Sequence, residues 1–180
     1  MNVSPANADL LRAFERRFDA GPATVMCKAP GRVNLLGEHV DYNGLPVLPM
    51  TIERSIAVVA RARPDGLVRI QNANSIFQAE EFLNVRALQP SVQGSWINYC
   101  KSAIEGINSH YNVESFPGMD LLFSGTIPPA AGLSSSSALV VATALAYLRV
   151  LGQPVDTEAR RVELAALLAH AERYVGVHGG

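Results

Sequence analysis

Several common function classes are excluded by what this chain has little of. There is no basic excess: 15 Lys and Arg stand against 16 Asp and Glu, a formal net charge of -1. Nothing in that balance points to nucleic acid or to an anionic membrane surface. The longest apolar-rich run, Ala138 to Leu151, is interrupted by Thr143 and Arg149 and falls short of the ~20 residues that cross a bilayer. The N-terminus has no basic stretch followed by an apolar core, so it does not read as a secretory signal. The two cysteines, Cys27 and Cys100, have no metal-ligand spacing and are expected as reduced, buried thiols of a cytoplasmic protein. No G-x-x-x-x-G-K-[ST] is present, which removes a Walker-type nucleotide loop, and no G-x-G-x-x-G, which removes a Rossmann site. Gly132-Leu133-Ser134-Ser135-Ser136 lacks the last glycine of a hydrolase elbow. No internal repeat or low-complexity linker occurs.

What remains is a globular composition, 48% hydrophobic and 17% charged over 180 residues, enough for one well-packed domain or two small ones. The pattern predicts an amphipathic helix over 8–18 with Leu11, Phe14 and Phe18 on one face, ended by Gly21-Pro22. A strand over 24–29 follows, then a polar loop over 30–46. Residues 47–63 read as a strand that turns at Pro64-Asp65-Gly66 into a hairpin with 67–71. A short strand is expected at 75–79, a helix over 96–111, a strand over 119–124, and two helices over 135–150 and 157–173, separated by Gly152-Gln153-Pro154. Strands dominate the first half and helices the second, which argues for an α+β domain rather than a βαβ repeat.

Two segments carry chemistry. The first is Pro129-Ala130-Ala131-Gly132-Leu133-Ser134-Ser135-Ser136-Ser137-Ala138-Leu139. Small residues let backbone approach a ligand, and the helix that follows presents free N–H groups and the positive end of its dipole to an anion. Two readings stand: a phosphate cradle, or a helix capped by one of its serines. The second segment, Lys28 to Gly44, packs Arg32, Glu38, His39 and Asp41 into ten residues. Carboxylates and an imidazole suit the paired donors and acceptors of a polyol, and Arg32 suits phosphoryl charge or an attacking oxygen. A solvated turn at Asn43-Gly44 and a metal set of Glu38, His39 and Asp41 are the alternatives. Glu172 lies near the end of the last helix and, with a serine of the 134–137 run, would suit Mg²⁺; an exposed ion pair is its alternative role.

Pro30-Gly31-Arg32-Val33-Asn34-Leu35-Leu36-Gly37-Glu38-His39-Val40-Asp41-Tyr42-Asn43-Gly44 resembles the sugar-binding signature of galactokinases. Gly132-Leu133-Ser134-Ser135-Ser136-Ser137-Ala138-Leu139 resembles the phosphate loop of the wider superfamily of galactokinase, homoserine kinase, mevalonate kinase and phosphomevalonate kinase, the GHMP kinases. The resemblance covers the chain from about Val25 onward. It implies a GHMP-kinase N-terminal domain over 1–180, similar to the second domain of ribosomal protein S5, with helices packed on a mixed sheet. It implies phosphorylation of galactose by ATP at the anomeric C1 hydroxyl.

By that resemblance Arg32 lies beside the reacting oxygen. Glu38, His39, Val40 and Asp41 bind the sugar. Ala130, Ala131, Gly132, Leu133, Ser134, Ser135 and Ser136 wrap the ATP phosphates, Trp96 lies near the base, and Ser136 with Glu172 holds Mg²⁺. Trp96 as a plain core indole remains open. The family's catalytic aspartate, in a Met-Asp-Gln after the glycine turn, is expected just beyond Gly180. The chain reads as truncated, without its C-terminal domain and inactive alone. The partners implied are a small-molecule sugar and ATP, with no nucleic acid or membrane, in a protein monomeric when full length. Val47-Leu48-Pro49-Met50, Ile127-Pro128-Pro129, the fourth serine and Glu172 to Gly176 are also similar to N-acetylgalactosamine kinases, and a non-catalytic galactose sensor is the alternative from another class.

Overall fold

The computed structural model describes residues 5–18, 23, 25–37, 43–83, 88–111, 113, 116–129 and 131–171. In chain order its elements are α1 (Pro5–Phe18), β1 (Val25–Leu36), β2 (Leu48–Arg63), β3 (Val68–Asn72), β4 (Glu80–Phe82), α2 (Ile97–Tyr111), β5 (Gly118–Gly125), α3 (Ser135–Val150) and α4 (Glu158–Ala171). The sheet order is β1-β2-β5-β3-β4, antiparallel except where β3 runs parallel to β5. This is the mixed-sheet α+β architecture expected.

Alternation along the strands divides the core. Val58, Ala60, Val68, Ile70, Leu121 and Phe123 face α2 and α3. Val59 and Leu122 face α1, which buries Leu10, Phe14 and Phe18 against them. Leu10 rather than Leu11 completes the buried stripe of α1, because a spacing of four places it above Phe14 and Phe18.

Three expectations about strands need correction. The hairpin of 47–63 with 67–71 does not form, although the Pro64-Asp65-Gly66 turn does. β5 lies between the two strands instead. Its residues Gly118 to Phe123 are all buried, and a strand buried on both faces belongs in the sheet interior. Gly118 permits the insertion: a Cβ there would sit 2.2 Å from the Leu67 carbonyl oxygen. The strand expected at 75–79 is a turn. Asn72 Oδ1 accepts from the Asn74 N–H at 2.9 Å and Asn74 Oδ1 from the Ile76 N–H at 3.1 Å, two successive side-chain turns that compete with a ladder. β4 begins only at Glu80. Finally, β1 does not stop at 29. It pairs with β2 as far as Leu36↔Leu48, with irregularities between Pro30 and Arg32 and between Asn34 and Leu36. The bulges absorb Pro30 and Gly31 without ending the strand.

Both thiols are free, but only Cys100 is fully buried, and burial pushes its pKa up to about 12. Cys27 is half-buried, and burial raises it too, partly offset by the Arg149 charge. It lines a cleft of about 480 Å³ between β1, α3 and α4, with Met26, Val141, Leu145, Leu164 and Leu168. A maleimide is therefore expected to label one thiol in the native protein, slowly and at Cys27, and both after denaturation; mass spectrometry of the labelled peptides checks this. Rapid native labelling of Cys100 would contradict the packing. Among the described residues no helix is long and apolar enough to cross a membrane.

Candidate active site

The extension of β1 places Arg32 on a strand rather than in a loop, half-buried at the sheet edge. The chain leaving β5 arrives beside it. Thr126 anchors that passage to β2: its N–H donates to the Ser55 carbonyl at 2.9 Å, and its Oγ1 accepts from the Ser55 N–H at 3.0 Å. Ile127 is buried, and Leu133 packs on the core of the helical face. The serine loop is thus held at its root and at its end.

At its end it meets β1. The Arg32 N–H donates to the Leu133 carbonyl at 3.2 Å, and Arg32 Nε donates to Ser134 Oγ at 3.0 Å. The approach is close enough to need glycine: a Cβ on Gly31 would lie 2.8 Å from the Leu133 oxygen. Gly31→Ala is expected to force the loop off β1 and destabilise the fold by about 1–3 kcal/mol, read by thermal or denaturant unfolding. At Arg32 the sugar-signature strand and the serine loop are in direct contact.

The capped-helix reading of the serine run does not hold. Ser134 occupies the N-cap position of α3 but sits at φ 54 and ψ 42, with no side-chain cap bond. It is the one non-glycine residue with positive φ among those described. A capping serine adopts extended backbone and turns its oxygen onto the N2 or N3 amide; Ser134 turns its oxygen onto Arg32. The first helical bond is Ala138 N–H to Ser134 carbonyl at 3.0 Å. The amides of Ser135, Ser136 and Ser137 therefore have no acceptor within α3 and form the positive end of its dipole. Among the described residues no hydrogen bond engages the side chains of these three serines. Small flanking residues, open amides and unspent hydroxyls make an anion cradle, and Ser136 offers an oxygen of the kind that Mg²⁺ takes.

Trp96 is half-buried in an aromatic stack, edge-on to Phe77 (6.2 Å between centroids) and to Phe123 (5.5 Å), and its Nε1 donates to the Gln78 carbonyl at 3.0 Å. Its polar handle is spent on the protein. Glu38, His39, Val40, Asp41, Ala130 and Glu172 lie outside the described residues. Among the described residues no cluster of three His, Cys, Asp or Glu could hold a metal ion. The cleft beside Cys27 lies at the other end of α3, near Arg149, so its size marks a packing gap rather than the chemistry. Sequence reasoning missed Thr126 and the Gly31 approach, and it missed Asn34, whose buried Oδ1 has no hydrogen-bond partner. Only the Gly-Arg pair could have hinted at a close contact.

The galactokinase galactose-binding signature matches residues 12–62, and the GHMP kinases N terminal domain matches residues 98–180. A galactokinase of Candida maltosa is 34% identical over 186 residues, covering 99% of this chain and 86% of that sequence. The chain belongs to the galactokinase family. A galactokinase of Chloroflexus aggregans is 37% identical and covers 93% of the chain. Lactococcus lactis galactokinase complexed with galactose superimposes with a TM-score of 0.79 at 31% identity, over 96% of this chain and 44% of that one. Methanococcus jannaschii mevalonate kinase shares the fold, with a TM-score of 0.74 at 21% identity over 86% of the chain and 47% of its own. The chain spans 41% of the Chloroflexus protein and 35% of a Schizosaccharomyces pombe galactokinase.

Proposed function

We propose that these residues form the N-terminal domain of a two-domain kinase that transfers the γ-phosphoryl group of ATP to the anomeric C1 hydroxyl of galactose. The observation that carries this reading is the Arg32–Ser134 contact, 3.0 Å from Nε to Oγ. It joins the strand bearing the sugar signature to an anion cradle, as a reaction between a sugar hydroxyl and a phosphate requires. The named galactokinases and the galactose held by the Lactococcus lactis protein support the choice of sugar.

In this reading Glu38, His39, Val40 and Asp41 hold the sugar hydroxyls, and Arg32 faces the C1 oxygen and the phosphoryl charge that develops beside it. Ala130 to Ser136 wrap the phosphates, with the open amides of α3 donating to their oxygens. Trp96 borders the base through its ring face. The Ser136 hydroxyl and the Glu172 carboxylate would hold Mg²⁺, which would supply charge neutralisation on the phosphates. The C1 oxygen forms its bond to the γ-phosphorus as the bond to ADP breaks, and the hydroxyl proton passes to an aspartate expected past Gly180. The protein works in the cytoplasm as a monomer, with no nucleic acid or membrane partner.

The test is galactose-dependent ADP formation by the full-length protein, with galactose 1-phosphate identified by ³¹P NMR and N-acetylgalactosamine compared alongside. Absence of turnover with galactose overturns the reading. A polypeptide confined to these 180 residues is expected to turn over neither sugar, because phosphoryl transfer depends on a complete cleft.

A further inference from the structure

We propose that the Ser134 hydroxyl is a positioning group for Arg32, and that the left-handed backbone of Ser134 exists to aim it there. The inference rests on the kinase reading for its kinetic consequences, but its geometry stands apart from it.

Ser134 departs from what its position favours in two ways. Its φ of 54 is a conformation that side-chain-bearing residues avoid, and it makes no side-chain cap bond at the head of α3. Gly132, two residues earlier, adopts positive φ without that penalty. A left-handed residue is thus available to this loop as glycine, yet Ser134 is the one that takes the cost. The compensation visible in the structure is the bond from Arg32 Nε to Ser134 Oγ at 3.0 Å, backed by the Arg32 N–H on the Leu133 carbonyl at 3.2 Å.

A guanidinium is planar, so holding Nε fixes the plane of the whole fork, and the two terminal nitrogens project beyond the held edge. The same turn of Ser134 away from its own helix leaves the first-turn amides of α3 without a side-chain acceptor. One backbone conformation therefore does two jobs: it aligns Arg32, and it keeps the cradle open for an anion. The backbone of Ser134 belongs to the phosphate loop while its hydroxyl acts on the arginine of the sugar strand. Anything that reshapes the loop is then felt at Arg32.

Ser134→Gly separates the two roles, because glycine keeps the left-handed backbone at lower cost and deletes the hydroxyl. In the full-length protein kcat is expected to fall about ten- to a hundredfold, the loss of one charge-assisted bond, with KM for ATP changed by less than about threefold. Ser134→Asn, which tolerates positive φ and carries an acceptor oxygen, is expected to recover much of the rate. In an Arg32→Ala background Ser134→Gly is expected to cost nothing further, because its effect acts through the missing guanidinium. A raised KM for ATP with unchanged kcat, or losses that multiply in the double variant, overturns the proposal. A second readout needs no turnover: the Arg32 Nε–H resonance should exchange slowly with solvent in the wild type and quickly in Ser134→Gly. Identical exchange in the two sinks the positioning role, whatever the substrate. Slow wild-type exchange without galactose turnover sinks the kinase reading alone.

Discussion

Arg32→Ala is expected to lower galactose-dependent ADP formation by the full-length protein about a hundred- to a thousandfold while leaving the melting temperature within about 3 °C of wild type. The first figure is that of deleting a preorganised donor aimed at developing charge. The second follows from what Arg32 contributes to the fold. Its backbone bond to Leu133 survives the substitution, and a lost side-chain bond such as that to Ser134 carries about 1 kcal/mol net. Arg32→Lys is not expected to rescue, since an ammonium lacks the Nε–H that Ser134 holds and the planar fork beyond it. Steady-state kinetics and a thermal melt on the same preparations check both halves. A variant that loses activity only in proportion to its unfolding would place Arg32 in the scaffold rather than in the chemistry.

Asp120→Ala is expected to have the largest effect on stability, about 3–5 kcal/mol and on the order of 10 °C in melting temperature. Asp120 lies on β5 with its side chain fully buried, and Arg61, Arg63 and Arg69 converge on it. Arg69 Nε donates at 2.6 Å and Arg63 Nη1 at 3.2 Å. Arg61 also lies 5.4 Å over the Phe14 ring and Arg69 4.8 Å over Phe18. The carboxylate therefore neutralises the patch on which α1 is seated. Removing it leaves three guanidinium groups, each less than a quarter exposed, without their shared counter-charge.

Burial pushes the Asp120 pKa up, and the hydrogen bonds from Arg69 and Arg61 with the charges of Arg69 and Arg63 outweigh it, so the group ends below its ordinary range. A depressed folded value means the stabilisation is fully present above the unfolded pKa of about 3.9 and is lost as pH falls through the lower folded one. Asp120→Asn keeps the shape and removes the charge. It should flatten the acid limb of a denaturation series below about pH 4. An unchanged acid limb would show that other carboxylates set it.

How far these features were legible depends on whether their cause is local. The helices were readable because a 3.6-residue period and turn residues are local signals, and α2, α3 and α4 begin within a residue of expectation. Leu10 replaced Leu11 in the stripe of α1 because both positions fit a helix face until the sheet decides which one it covers. The false hairpin had a real turn at Pro64-Asp65-Gly66, but a turn reverses the chain without choosing its neighbour. β5 lies about fifty residues further on, and its buried, apolar character gave it the place beside β2. The arginines around Asp120 were invisible for the same reason: they come from β2 and β3 and meet only through that inserted strand.

The sequence by itself determined the chemical vocabulary of the site, because hydroxyls, small residues and a basic side chain in two short segments state what can be bound. It also determined the α+β class, through periodicity alone. Only the tertiary structure decided how the two segments meet. Leu133 and Arg32 share a backbone bond because the loop after β5 is anchored at Thr126 and must pass over the edge of β1. Only there does the serine run divide its roles, Ser134 turning its hydroxyl to Arg32 while the amides of the next three serines stay open. That division depends on a left-handed backbone and a contact 102 residues apart in sequence, neither of which a local pattern encodes.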